Sequence, residues 1–170
     1  MFQLLLTKSK FMTTINKSKN VFISHQSGDD EHIQKLKDLL LSKGYQLKNS
    51  SADSTRPNQA TNEEYIKRLL RLRMQWAGTV IVLIGPETRK SHWVDWEIEI
   101  ANKKGKKIVG VFINGASDSD VPDNFEKYGD ELVGWTSEKI IQAIESEVGE
   151  WENPEGKPRK SHWEPVNSNC

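Results

Sequence analysis

The run Thr79-Val80-Ile81-Val82-Leu83-Ile84 constrains what this chain can fold into more than any other segment. It is unbroken, rich in β-branched residues, and bounded by Gly78 before it and Gly85-Pro86 after it. A strand with one wet face alternates polar and apolar side chains. One covered on both faces reads as continuous apolar sequence, the signature of a parallel sheet between helices. Lys107 to Ile113 repeats the pattern. Two such strands predict helices on both faces of the sheet, joined by right-handed crossovers.

The flanking segments supply those helices. Val21-Phe22-Ile23 reads as a first strand, followed by the polar turn Ser24 to Gly28. Asp29, Asp30 and Glu31 then open a helix, where acids favour the dipole, and Asp29 reads as its cap. Ile33, Leu36 and Leu40 form its apolar stripe, and Lys43-Gly44 ends it. Tyr45 to Leu47 reads as a second strand, and Asn49 to Asn58 as a polar loop carrying Asp53, Arg56 and Pro57. Thr61-x-x-Glu64 has the form of a capping box, opening a helix in which Leu69, Leu72 and Trp76 share a face. Ser91 can cap a third helix reaching about Lys103. Glu131 to Trp135 reads as the last strand, and Ser137 to about Val148 as the last helix. Residues Asn114 to Gly129 show no helical stripe, so the fourth helix is expected to be missing or degenerate. The expectation is an α/β domain over residues 20–148, flavodoxin-like, with a five-stranded parallel sheet in the order 2-1-3-4-5. Residues 1–19 read as an N-terminal arm and 149–170 as a C-terminal tail on the surface. The pentapeptide RKSHW occurs at Arg89 to Trp93 and again at Arg159 to Trp163. Without surrounding similarity it is no architectural repeat.

Composition removes several functions. Lys+Arg and Asp+Glu both total 24, a net charge of zero, so no global field attracts a nucleic acid. The only cysteine is Cys170, which excludes an internal disulfide or a cysteine-based zinc site and suits a reducing cytoplasm. The apolar start Met1 to Leu6 is cut by Lys8 and Lys10, far short of the ~20 residues of a membrane span. There is no P-loop, GxGxxG or GxSxG, and Ser24 beside His25 lacks a third member of a hydrolase triad.

In open parallel sheets, ligands bind beyond the carboxyl ends of the strands where the strand order reverses. In the order 2-1-3-4-5 that crevice lies between Ser24 to Asp29 and Gly85 to Ser91, and the first turns of the third helix reach it. Three acids lie on that helix. Glu99 stands four residues before Lys103, an exposed ion-pair spacing. Asp95 lies in an early turn, where it favours the dipole. Glu97 has Trp93, Val94, Ile100 and Ala101 at helical-neighbour positions and no cation. A carboxylate so placed can stabilise an oxocarbenium-like ribosyl cation. Trp93 is either a wall of that crevice or a packed core residue. Ser24, His25 and Gln26 can hydrogen-bond ribose hydroxyls or an amide, or simply satisfy their own turn. The basic residues Lys67, Arg68, Arg71 and Arg73 read as a solvated helix face.

These residues in this order resemble the TIR family. Val21-Phe22-Ile23-Ser24-His25-Gln26-Ser27-Gly28-Asp29-Asp30 is similar to the opening strand and loop of TIR domains. Ser91-x-Trp93-Val94-x-x-Glu97-Ile98 resembles their catalytic-helix motif, with the apolar strand between the two. The resemblance is closest to the small TIR-like proteins of bacterial Thoeris anti-phage systems and covers residues 20 to 148. It implies cleavage of NAD+ at the nicotinamide-ribose bond, with NAD+ as substrate, no further cofactor and no metal. The essential carboxylate falls on Glu97, with Trp93 as the motif aromatic and Ser24, His25 and Gln26 in the substrate-contacting loop. His25-Gln26 departs from the aromatic-arginine or aromatic-serine pairs common elsewhere, and Arg56-Pro57 matches the assembly loop only in part. Thoeris-type relatives convert NAD+ into a signalling nucleotide, such as a cyclic ADP-ribose isomer, that activates a separate effector protein. Self-assembly or a phage-derived trigger is the implied activation, and neither nucleic acid nor membrane is an implied partner. The competing readings are a non-catalytic TIR-type interaction module, a phosphoacceptor receiver lacking its strand-end Asp at Gly85, and a flavoprotein lacking a phosphate-cradling loop.

Overall fold

The computed structural model describes residues 14–51 and 62–164. Most of the arm, the loop residues Asp53, Arg56 and Pro57, and Thr61 lie outside the described residues. Five strands form one sheet in the order β2-β1-β3-β4-β5. They are β1 (Lys17–Ser24), β2 (Tyr45–Asn49), β3 (Thr79–Ile84), β4 (Lys107–Phe112) and β5 (Glu131–Val133). All neighbouring pairs are parallel. The helices are α1 (Asp30–Leu41), α2 (Glu63–Trp76), α3 (His92–Lys103), α4 (Asp123–Tyr128) and α5 (Ser137–Glu145).

The period-two alternation of the strands sorts the core into two layers. Val21, Ile23, Ile81, Leu83, Val109 and Val111 face one way and pack with residues of α1 and α5. Phe22, Val80, Val82, Ile84, Ile108 and Phe112 face the other way and pack with residues of α2, α3 and α4. Every residue of β3 is buried, as its unbroken apolar run predicts.

Several elements differ from the sequence reading, each for a physical reason. β1 begins at Lys17 because its polar first half pairs only with β2, through Lys17↔Tyr45 to Asn20↔Lys48, while Val21 pairs with both neighbours and Phe22 to Ser24 pair with β3. The cap of α2 is Asn62, whose side chain accepts from Glu64 N–H at 3.0 Å and Tyr65 N–H at 3.3 Å. The buried side of α2 carries Met74 with Leu70 beside it, and Ala77 follows at the cap. Of the three residues read as sharing a face, Leu69 is half-buried while Leu72 and Trp76 are 59% and 49% exposed. Of the two outcomes open for the segment after β4, the degenerate helix is the one that forms. The six-residue α4 is too short to show a stripe, but it buries Phe125 completely against β4. Gly110 makes room for that ring, since a Cβ there would lie 2.6 Å from Phe125 Cζ.

The C-terminal segment folds back along the domain. Trp151 bridges to Leu132, and Glu152 Oε1 accepts from Gly134 N–H at 2.8 Å. Arg159 binds the carboxylates of Asp118 and Glu126, while Arg89 reaches Asp123 at 3.0 Å. The arginines of both RKSHW copies thus hold the same stretch around α4, from the α3 side and from the tail. No helix among the described residues is long and apolar enough to cross a membrane.

Candidate active site

The candidate site starts at the end of β1. Ser24, the last residue of that strand, is 1% exposed and turns toward the α3 layer, as Phe22 does. Its hydroxyl donates to Glu97 Oε2. Glu97 reaches it because of the way α3 is launched. After β3, Gly85 N–H donates to the buried Thr88 Oγ1 at 2.8 Å, closing a tight turn in which Glu87 adopts a left-handed backbone (φ 72°). Ser91 then caps α3, its Oγ accepting from Val94 N–H at 3.3 Å. The second turn of α3 therefore lies over the end of β1, with Val94, Ile98 and Ala101 buried beside Glu97.

Glu97 is 9% exposed. Burial pushes its carboxyl from 4.5 up to about 7, and the Ser24 hydrogen bond opposes that rise only in part. The other two acids of α3 are occupied elsewhere. Glu99 pairs with Lys103 at 2.8 Å, which lowers its pKa. Asp95 accepts from Asn124 N–H at 3.1 Å and from Asn124 Nδ2 at 2.8 Å, so it anchors α4 to α3. That anchor could not be read from helix spacing, because Asn124 lies on another element.

Of the candidates from the sequence, the structure brings Ser24 and Glu97 into contact. Trp93 sits one turn before Glu97, half-buried, at 5.1 Å from the His92 ring and edge-on to Trp96 at 6.0 Å. His25 turns to the α1 layer, its Nε2 lying 2.8 Å from Asp30 Oδ1 and its Nδ1 3.3 Å from the Ile23 carbonyl. Gln26 holds the turn through its carbonyl, which accepts from Asp29 N–H at 3.0 Å. The basic residues of α2 are not simply solvated. Lys67 pairs with Glu63 at 2.7 Å, and Lys67 and Arg71 lie over Trp96 at 5.7 and 5.3 Å.

Asp29 departs from its expected role. It occupies the N-cap position of α1 yet makes no side-chain cap bond. Its Oδ2 is buried without a hydrogen-bond partner among the described residues. Sequence offered no signal for this, since an aspartate before a helix looks the same whether or not it caps. Among the described residues, no group of three or more His, Cys, Asp or Glu converges as a metal site.

Residues 22–118 match the family described as Thoeris protein ThsB, TIR-like domain. The chain belongs to this family. The matched stretch contains Ser24, His25, Gln26, Asp29, Trp93 and Glu97, and ends before α4. Outside the family model, this TIR-like chain is 31% identical over 98 residues to a protein of Bacillus cereus (strain MSX-D12), named on a provisional footing as cyclic ADP-D-ribose synthase ThsB1. That alignment covers 54% of the TIR-like chain and 50% of the relative, so the chain spans half the length of the protein it matches. A crystal structure of a conserved protein from Enterococcus faecalis V583 shares the fold, with a TM-score of 0.54 at 14% identity, over 75% of this chain and 97% of the other.

Proposed function

We propose that this TIR-like chain cleaves the nicotinamide-ribose bond of NAD+ and converts the remainder into an ADP-ribose-derived signalling nucleotide. The observation that carries the reading is the buried Glu97 carboxyl, held by Ser24 where β1 meets α3. Nicotinamide is bound to ribose as a pyridinium and departs with the bonding electrons as a neutral molecule, so the departure needs no general acid. The ribosyl centre becomes cationic as the bond breaks. An ionised Glu97 in a water-poor setting stabilises that charge far better than it would in water. Capture of the cation by water gives ADP-ribose and a proton. Capture by an adenine nitrogen of the same molecule gives a cyclic isomer and a proton. The name of the Bacillus cereus relative supports the cyclic outcome. In this reading the product acts on a separate effector in anti-phage defence.

Chromatography and mass spectrometry of NAD+ incubated with the protein test the reading. Free nicotinamide with an ADP-ribose-type product supports it, whereas intact NAD+, including in lysate from phage-infected cells, overturns it. The reading as a non-catalytic interaction module has one observation on its side, the exposed Tyr65, Leu72 and Trp76 of α2. Loss of turnover in Glu97→Gln separates the two, because a module has no turnover to lose.

A further inference from the structure

Four consecutive residues of α4 each grip a different part of the protein. Asp123 takes Arg89 of the turn that launches α3, at 3.0 Å. Asn124 takes α3 itself: its backbone N–H and side-chain amide donate to the Asp95 carboxylate at 3.1 and 2.8 Å, and the amide also donates to the Asp95 carbonyl at 3.1 Å. Phe125 lies over Gly110 of β4 and packs against Trp151 of the C-terminal segment, ring centres 5.3 Å apart. Glu126 takes that segment's Arg159, whose guanidinium also binds Asp118 and lies over Trp151 at 5.6 Å. We infer that Arg159 is a positioning residue for Glu97: by fixing α4 it fixes the first turns of α3, and with them how deeply the Glu97 carboxyl is buried. What this does for catalysis rests on the proposed NAD+ reading.

α4 has six residues and no side-chain cap. Isolated helices shorter than ~12 residues are marginal in water, so α4 stands where its contacts put it. The tail supplies the best-buried ion pair among them. The Arg159 side chain is 5% and that of Glu126 10% exposed, and Glu126 also accepts from the His162 N–H at 2.9 Å. Burial pushes the Glu126 carboxyl up, yet Arg159 and the His162 N–H leave it below its ordinary value. The Arg89–Asp123 pair is far more open, at 53% and 80% exposed, and a pair of that kind holds little. Asp95 stands two residues before Glu97, and Asn124 reaches its backbone carbonyl, so a shift of α4 pulls on the helix and not on a side chain alone. Burial raises the Glu97 carboxyl to about 7, and the Ser24 hydrogen bond is what opposes it. The ionisation of Glu97 therefore reports how α3 sits on β1.

The test reads that ionisation without NAD+. The melting-temperature gap between Glu97→Gln and its parent is measured at pH 8 and pH 5 in the unsubstituted protein, in Arg159→Ala and in Asn124→Ala. Titration of other groups, including His162 at 3.6 Å from both Asp118 and Glu126, cancels within each pair. Both substitutions cost stability whatever their role, because each leaves a carboxylate without its partner, so the melting temperature alone decides nothing. If α3 loosens, water reaches Glu97, its pKa falls toward 4.5, and the gap at pH 8 shrinks to roughly half in both variants. The acid limb of kcat/KM for NAD+ then moves down by about one pH unit. A gap unchanged in Arg159→Ala, beside a lowered melting temperature, is the result of a merely structural clasp and overturns the inference. A gap that shrinks in Arg159→Ala but not in Asn124→Ala overturns it too, since α4 is then not the link. So does the absence of any gap in the unsubstituted protein. Arg159→Lys, which keeps the charge without the fork that spans both carboxylates, takes the place of Arg159→Ala if that variant does not fold. Absence of NAD+ turnover by the unsubstituted protein removes the proposed function and leaves the melting comparison standing.

Discussion

Replacing Glu97 by Gln should make the protein more stable at pH 8, with only about a quarter of that gain left at pH 5. The folded carboxyl titrates at about 7 against an ordinary 4.5, because burial penalises its charge. With the folded pKa above the unfolded one, the carboxyl's contribution to stability is complete below about 4.5 and is lost as pH rises through about 7. Full loss corresponds to about 3 kcal/mol, a ceiling if the opened carboxylate recruits water. Glutamine keeps the shape and can still accept from Ser24, yet carries no charge at any pH. At about 2–4 °C per kcal/mol for a domain of this size, Glu97→Gln should melt up to roughly 10 °C above the wild type at pH 8. Paired melting curves at both pH values are the assay, and because other groups titrate alike in the two proteins, the difference isolates Glu97. A gap equal at the two pH values, or one that narrows at pH 8, would refute the reasoning.

Ser24→Ala removes the hydrogen bond that holds the Glu97 pKa down, so the acid limb of kcat/KM for NAD+ should move to higher pH; a pH profile that does not move contradicts the coupling. Trp93→Ala should impair turnover while costing less than the ~3–5 kcal/mol of truncating a fully buried aromatic, because the ring is only half-buried. Melting curves beside turnover rates check it, and a badly destabilised variant whose folded fraction turns over normally would remove Trp93 from the crevice wall. Glu99→Gln should leave turnover close to the wild-type rate, since that acid serves an exposed pair with Lys103.

The parts legible in the sequence were those where one physical demand dominates. β3 and β4 are covered on both faces, and a continuous apolar run of strand length fits few environments besides that one. Glu97 stood out because an acid among apolar helical neighbours, without a cation, has no surface role to fill. The rest was hidden by ambiguity of a definite kind. On α2, Leu69, Leu72 and Trp76 are as periodic as Leu70, Met74 and Ala77, and a period does not say which stripe meets the sheet. The polar half of β1 is a strand only because β2 lies beside it. α4 is held by the Asp95–Asn124 contact and by Phe125 over Gly110, all of which join distant parts of the chain. The side to which His25 turns follows from the parity of β1, which places it on the α1 layer, and Asp30 secures it there.

The central claim is that the carboxylate of Glu97 breaks the nicotinamide-ribose bond. Its most direct test is the release of nicotinamide from NAD+, followed by chromatography, by wild type and Glu97→Gln at pH 8, with melting curves showing both folded. Steady release by the wild type and none by Glu97→Gln is the result expected. Equal release by the two proteins, or none by a folded wild type supplied with lysate from phage-infected cells, would contradict it.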